Sequence, residues 1–285
     1  MADFLDAEAA QRYKNAENAT GPYAKAIVGQ CGIVAYLDSG AEANVLDFAC
    51  GTGVVVQNLY DTIPKERWRQ LKVLGADISP PMLAYLKARG EKQGWMGLET
   101  KIVDGNGDFT ETLPKSSFTH IFATFVLNIL PEQTLSHLCS LLRPGGFIAV
   151  ATWSAMPWHG LLTRSISLMN APQPYSPSYE ELQEKMCGPW AAESYVAQQL
   201  EAAGLQRVDT STQKESIRAG TPEVFMASMQ FPLQFVARTW WGNERDGVLE
   251  ELSDAMRGIV EEEIGEDGEM GMEFDGIMGW GWKSG

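Results

Sequence analysis

Between residues 44 and 153 short apolar runs alternate with amphipathic stretches. N-V-L-D-F-A (44–49), L-K-V-L-G-A-D (71–77), E-T-K-I-V-D (99–104), F-T-H-I-F-A-T-F (118–125) and F-I-A-V-A-T-W (147–153) each have the length and apolar content of a buried strand. Helical patterns separate them. V-V-V-Q-N-L-Y begins one, and P-P-M-L-A-Y-L-K-A-R forms another, with Ser79 placed to cap it and Pro80 at its first position. Over 131–142, Leu135, Leu138, Cys139 and Leu142 fall on one face, and R-P-G-G ends the pattern. Strands alternating with helices predict βαβ units, right-handed crossovers, a mostly parallel sheet and helices on both faces: an α/β, Rossmann-like class.

The flanks read differently. Leu5, Ala9 and Ala16 at near-helical spacing predict an N-terminal helical cap over 1–40, placed before a core of 41–155. After Trp153 the regularity stops. The Pro- and aromatic-rich stretch 171–190 predicts an insertion over the top of the sheet, within a tail of 156–285 belonging to the same single domain. A helix over 191–203 leads into a sixth strand, L-Q-R-V-D-T-S (205–211). Helices at about 222–240 and 244–264 follow, and E-F-D-G-I-M-G-W-G-W-K (273–283) predicts a final edge strand.

Composition narrows the partners. A chain of 285 residues with 45% hydrophobic residues supplies a large core. Its formal net charge of −15 repels nucleic-acid phosphates and anionic membranes, so a small-molecule partner is expected. The start of the chain lacks a basic region followed by an apolar one, and no run reaches the roughly 18 apolar residues of a membrane span. Cys31, Cys50, Cys139 and Cys187 lack CxxC spacing and a local His, the pattern of reduced thiols in a metal-free cytoplasmic protein. Nothing in the composition speaks to oligomeric state.

The first chemistry is D-F-A-C-G-T-G, Asp47 to Gly53, between a strand and a helix. A dinucleotide site asks for a third glycine where Val56 stands, and a carboxylate at Asp47 would repel a pyrophosphate. Beside an ammonium or sulfonium the same carboxylate is favourable. S-adenosyl-L-methionine (SAM) carries both cations and no phosphate, so the loop fits SAM better than a nicotinamide dinucleotide. The next strand ends in Asp77, suited to accept two hydrogen bonds from a ribose diol. The third ends in Asp104, which could accept from an adenine amino group. Three successive strands ending in Asp lie where open α/β sheets bind ligands, at their carboxyl edge.

D-F-A-C-G-T-G, A-D-I-S-P-P-M-L and L-R-P-G-G-F-I-A-V together resemble the motifs of class I SAM-dependent methyltransferases. R-Y-K-N-A-E-N-A-T-G-P-Y-A, A-T-W-S-A-M-P-W and A-E-S-Y-V-A-Q-Q-L-E-A-A-G-L are similar to small-molecule methyltransferases of fungal secondary metabolism, the group that includes gliotoxin bis-thiomethyltransferase. The likeness implies a seven-stranded sheet with one late antiparallel strand. It puts the methionine end of the cofactor beside Asp47, Ala49 and Gly51 and the ribose on Asp77, with Gly53 and Gly105 as further cofactor-binding residues. The adenine would lie between Ile78, Met82 and Asp104, with Phe125 under the sulfonium and Tyr13 closing over the cofactor. Tyr23, Asn128, Trp153 and Trp158 would shape the substrate side.

Methyl transfer needs alignment and exclusion of water more than it needs a base. His120, inside a strand, and His137, inside a helix, read as structural or surface residues; His159, after the fifth strand, is the general-base candidate. F-M-A-S-M-Q-F-P and T-W-W-G read either as ordinary core or as the lining of an apolar substrate pocket. The expected activity is SAM-dependent methylation of a small apolar metabolite at S, N or O. A SAM-binding scaffold without transferase activity is the alternative.

Overall fold

The computed structural model describes residues 9–170, 172–242, 245–265 and 267–285. Its centre is a seven-stranded sheet: β1 (Ala43–Phe48), β2 (Leu71–Asp77), β3 (Leu98–Ile102), β4 (Phe118–Thr124), β5 (Leu142–Trp153), β6 (Leu205–Gly220) and β7 (Met270–Lys283), in the order β3-β2-β1-β4-β5-β7-β6. β1 to β5 run parallel, and β7 is antiparallel to both its neighbours. The order reverses between β1 and β4, so their carboxyl ends diverge and leave a crevice there. Burial follows position. The central β4 is buried nearly throughout, whereas β3 at the edge alternates half-buried and exposed residues.

Helices cover both faces. α1 (Ala9–Gln30), α2 (Ile33–Asp38), α3 (Val54–Thr62) and α4 (Pro80–Gln93) contribute Tyr23, Ile27, Ile33, Val56, Leu59 and Leu86 to one core. α5 (Thr134–Leu141) and α8 (Glu193–Ala202) pack Leu135, Leu138, Val196 and Leu200 on the other. A third core stands apart. α6 (His159–Leu168), α7 (Tyr179–Met186), α9 (Pro222–Val236) and α10 (Arg245–Ile264) bury Leu162, Leu182, Phe225, Met229 and Met256 among themselves. Trp153, at the end of β5, packs against both the first core and this third one.

Several boundaries differ from expectation, each for a physical reason. The last strand is interior, inserted between β5 and β6; its run G-I-M-G-W-G buries because it has neighbours on both sides. β6 is the edge, and it continues to Gly220 because β7 pairs with it along the whole length. R-P-G-G lies within β5, where the register against β4 jumps from Phe118↔Leu142 to His120↔Phe147 and the extra residues form a bulge. β3 stops at Ile102, so Asp104 stands beyond it. α9 gives way after Val236 to a π-helical turn, Ala237–Trp241. The insertion contains α7, held by a capping box between Ser178 and Glu181.

Candidate active site

Six residues after the start of β1 the chain turns sharply. Ala49, Gly51 and Gly53 have φ of 56°, 51° and 89°, so the loop passes through left-handed backbone three times in five residues. Glycine is required at the third of these positions. A Cβ on Gly53 would stand 2.3 Å from Leu86 Cδ1 of α4, and one on Gly75 of β2 would stand 2.6 Å from Leu86 Cδ2. Leu86 thus seats against both glycines, and the close helix–sheet approach expected of a third glycine is delivered here by Gly53.

Asp77, at the end of β2, holds this loop. One carboxylate oxygen accepts the Gly51 N–H at 2.8 Å and the other accepts the Ser79 N–H at 2.9 Å. Burial raises its pKa, with the Ser79, Gly51 and Ile78 amides pulling the other way. Ser79 caps α4 as expected, its Oγ accepting the Met82 N–H at 3.4 Å. From above, Glu17 of α1 accepts the Thr52 hydroxyl at 2.6 Å and pairs with Arg89 of α4 at 2.8 Å, tying the N-terminal helix to loop and α4 together.

Asp47 is the unusual group. It is fully buried within β1, and neither carboxylate oxygen has a hydrogen-bond partner. Its pKa is raised well above the ordinary carboxylate range, by burial first and by the nearby charge of Asp77 second; the Val56 amide opposes this. Neither Asp47 nor Asp77 has an ion-pair partner among the described residues. Two uncompensated carboxylates at one end of a crevice suit a cationic ligand and disfavour a phosphate. The residues present therefore fit SAM.

A cavity of about 330 Å³ opens from this edge. Ala49, Gly51, Asp77, Ile78 and Met82 line one end; Asn128, Trp153 and Trp158 line it farther along. Phe125, also with a positive φ of 55°, closes β4 and stacks on Trp153 with centroids 4.1 Å apart and planes 25° apart. A left-handed phenylalanine is strained, and such outliers gather at functional sites. Asn128 Nδ2 donates to the Met186 carbonyl at 2.6 Å, joining the cavity wall to α7.

The remaining predicted residues lie off the lining. Tyr23 is fully buried behind it, its ring edge-on to Phe125 and Trp153 and its hydroxyl donating to the Phe274 carbonyl at 2.7 Å. It supports the aromatic pair instead of facing the cavity. Asp104 is exposed and accepts from the amide and side chain of Asn106, each at 2.9 Å, which holds its pKa low; Gly105 packs toward Leu130 and Phe48. His159 opens α6, and its Nε2 bonds the Pro177 carbonyl at 3.0 Å, tying α6 to the insertion. His120 is buried between the Thr119 hydroxyl and the Cys31 carbonyl, and burial lowers its pKa to about 4. The side chain of Tyr13 lies outside the described residues.

Among the lining residues that the sequence pattern did not single out are Thr124 at the end of β4, Gln234 of α9 and Phe274 of β7. Phe225 and Met229, one turn apart on α9, do line the cavity, which resolves the F-M-A-S-M-Q-F-P stretch in favour of pocket and core at once. Among the described residues no group of His, Cys, Asp and Glu could hold a metal ion, and no helix is long and apolar enough to cross a membrane. The four cysteines are buried and free.

Comparison with known proteins agrees with this geometry. Residues 45–146 match the model of the methyltransferase domain family. The chain is 27% identical to methyltransferase tpcH of Aspergillus fumigatus over 98% of each chain. It is 25% identical to acetylaranotin bis-thiomethyltransferase of Aspergillus terreus, over 95% of this chain and 92% of that one. With methyltransferase ktnA of Aspergillus niger it shares 25% identity over 90% and 89%. Sheet order, glycine loop and paired carboxylates agree with these matches: the chain resembles class I SAM-dependent methyltransferases, with a methyltransferase domain match over residues 45–146 and full-length likeness to methyltransferases of Aspergillus species.

Proposed function

We propose that this chain methylates a small, neutral, apolar metabolite, at sulfur ahead of nitrogen or oxygen. One observation carries the proposal. The cavity runs without interruption from the carboxylate-bearing loop to an aromatic and methionine wall, and its described lining holds only two titratable side chains, Asp77 and Cys187. Asp77 is engaged by two backbone amides. Burial pushes the Cys187 thiol up to about 12. Neither serves as a base at neutral pH, and His159 is turned to Pro177.

Ala49, Gly51 and Asp77 would hold the methionine and ribose parts of SAM, and Ile78 and Met82 its adenine. Asp104 and Gly105, just past β3, and Tyr13 on α1 would complete that grip. Bound SAM supplies an electrophilic methyl group on a sulfonium. Asp47 and Asp77 bias that end of the cavity toward positive charge, and the stacked Phe125–Trp153 pair offers an aromatic face that tolerates a cation. Trp158, Met156 and Phe225 exclude water and orient the acceptor. With no base in the wall, the acceptor must shed its proton by its own acidity. A thiol, with an ordinary pKa of about 8.5, does so far more readily than a phenol, at about 10, or an alcohol. The bis-thiomethyltransferase among the relatives supports the same choice.

The test is incubation with methyl-labelled SAM and a panel of thiols, amines and phenols, read by mass spectrometry alongside bound SAM. The expected result is label on thiols, with kcat/KM rising with pH up to the pKa of each thiol. Label confined to phenols or alcohols, or a pH profile independent of acceptor pKa, would show a base in the site and overturn the preference for sulfur. SAM bound without label on any acceptor would favour the non-catalytic scaffold.

A further inference from the structure

We infer that Gln234 is a specificity-determining residue, recognising a neutral hydrogen-bonding group, a hydroxyl or a carboxamide, on the otherwise apolar acceptor. The inference rests on the methyl-transfer reading and narrows its substrate class. Gln234 lies on α9 and lines the cavity in the company of Phe225, Met229, Phe231 and Phe235. Its Oε1 is buried and has no hydrogen-bond partner. An amide oxygen kept from water with nothing to accept from is unfavourable to the folded state, and leucine there would avoid the loss.

Four other polar side chains of this lining are already used. Asn18 donates to the Arg218 carbonyl, Thr20 to Ala16, Asn128 to Met186 and Ser228 to Phe225, each satisfied by the protein itself. Among the described residues of the lining, the Gln234 Oε1 is the side-chain oxygen that is both buried and unpaired, and Gln234 does not stand alone on its face. Gln230, one turn earlier, also lines the cavity, and both residues line a second space of about 240 Å³ bounded by Leu249, Glu250 and Ser253 of α10. The two amides form a polar strip on α9 across an apolar wall, leading from the substrate cavity toward the α9–α10 cleft. An acceptor with its nucleophile near Phe125 and Trp153 and a neutral polar edge along this strip would satisfy the unpaired oxygen once the Gln234 side chain turns it toward the cavity. An anionic edge is disfavoured, because the charged side chains among the described residues lining the two spaces are the carboxylates Asp77 and Glu250.

The test uses three aryl thiols of similar size as methyl acceptors: 4-mercaptobenzamide, 4-mercaptophenol and 4-methylbenzenethiol. Wild type and Gln234→Leu are compared by steady-state kinetics, with melting temperatures taken without acceptor. The electronic effect of each substituent is common to both proteins, so the quantity read is the preference of wild type for a polar arm divided by that of the variant. The expected value is about tenfold, the worth of one neutral hydrogen bond, and it resides in KM. Whichever arm shows it separates hydroxyl from carboxamide. The melting temperature of Gln234→Leu should equal or exceed that of wild type, since an unpaired buried oxygen has gone. Equal preferences in the two proteins overturn the assignment, as does a lower melting temperature with unchanged preference, which is the result for a structural glutamine. Label on none of the three thiols by wild type that binds SAM removes thiol methylation itself, and is thereby told apart from failure of Gln234 alone.

Discussion

Ala49, Gly51 and Phe125 reach the cavity because the backbone turns through left-handed conformations at the ends of β1 and β4, whereas Met156, Phe225 and Met229 reach it because helices pack around them. The first group is positioned by strand register and by amide hydrogen bonds to Asp77. The second is positioned by van der Waals contact in the separate core of α6, α7, α9 and α10. Titratable groups divide the same way. The sheet hides Asp47 and His120, while the buried residues of the helical core, Cys187 apart, carry no ionisable side chain. A cofactor of fixed shape such as SAM needs one rigid geometry. An apolar wall of long, unbranched and aromatic side chains can repack around molecules of differing shape.

The sharpest way to break the sheet end is Gly53→Val, which combines a left-handed valine with a Cβ inside Leu86. Loss of about 2–5 kcal/mol in urea-induced unfolding is expected. Acid should act on the same half. His120 has a folded pKa of about 4 against 6.5 in the open chain, so above pH 6.5 it contributes nothing to the pH dependence. As pH falls from 6.5 to 4 the unfolded chain takes up a proton that the folded one refuses, and stability drops. Between pH 7 and pH 4.5 that difference is about 2–3 kcal/mol, and His120→Gln should lose less over the same interval.

Asp77→Ala leaves the Gly51 and Ser79 amides without their acceptor and removes the carboxylate from the cavity. SAM affinity should weaken by about 1–3 kcal/mol in a calorimetric titration; unchanged affinity would remove the ribose assignment. The smallest effect is expected at the other end. Met229→Leu conserves volume in the helical core and should cost less than about 1.5 kcal/mol of stability while changing the rank order of acceptors in the labelling assay. An unchanged acceptor order, with altered SAM binding, would erase the division between the two ends.

Much of the sheet half was legible in the chain before its structure. Apolar runs bounded by Asp and Gly can be read locally, because a strand buried on both faces must be apolar throughout and a tight turn must tolerate left-handed backbone. Ser79 followed by two prolines states a helix start, and it is one. What the linear pattern could not state was pairing. G-I-M-G-W-G alternates like an edge strand, and only the partners β5 and β6 on its two sides make it interior. The resemblance put Tyr23 on the substrate side; the close approach of Gly276, where a Cβ would fall 2.4 Å from the ring, draws it into the core.

By itself the sequence determined the strand–glycine–helix unit, the order of carboxylates along the strand ends and hence a ligand without phosphate, since those depend on residues adjacent in the chain. The tertiary structure alone decided which residues face the acceptor. Gln234 and Phe274 enter the same cavity as Asp77 from elements far away in sequence, and His159 is carried out of it by a bond to Pro177. Local propensity carries no information about such meetings; long-range packing of helices against one edge of the sheet creates them.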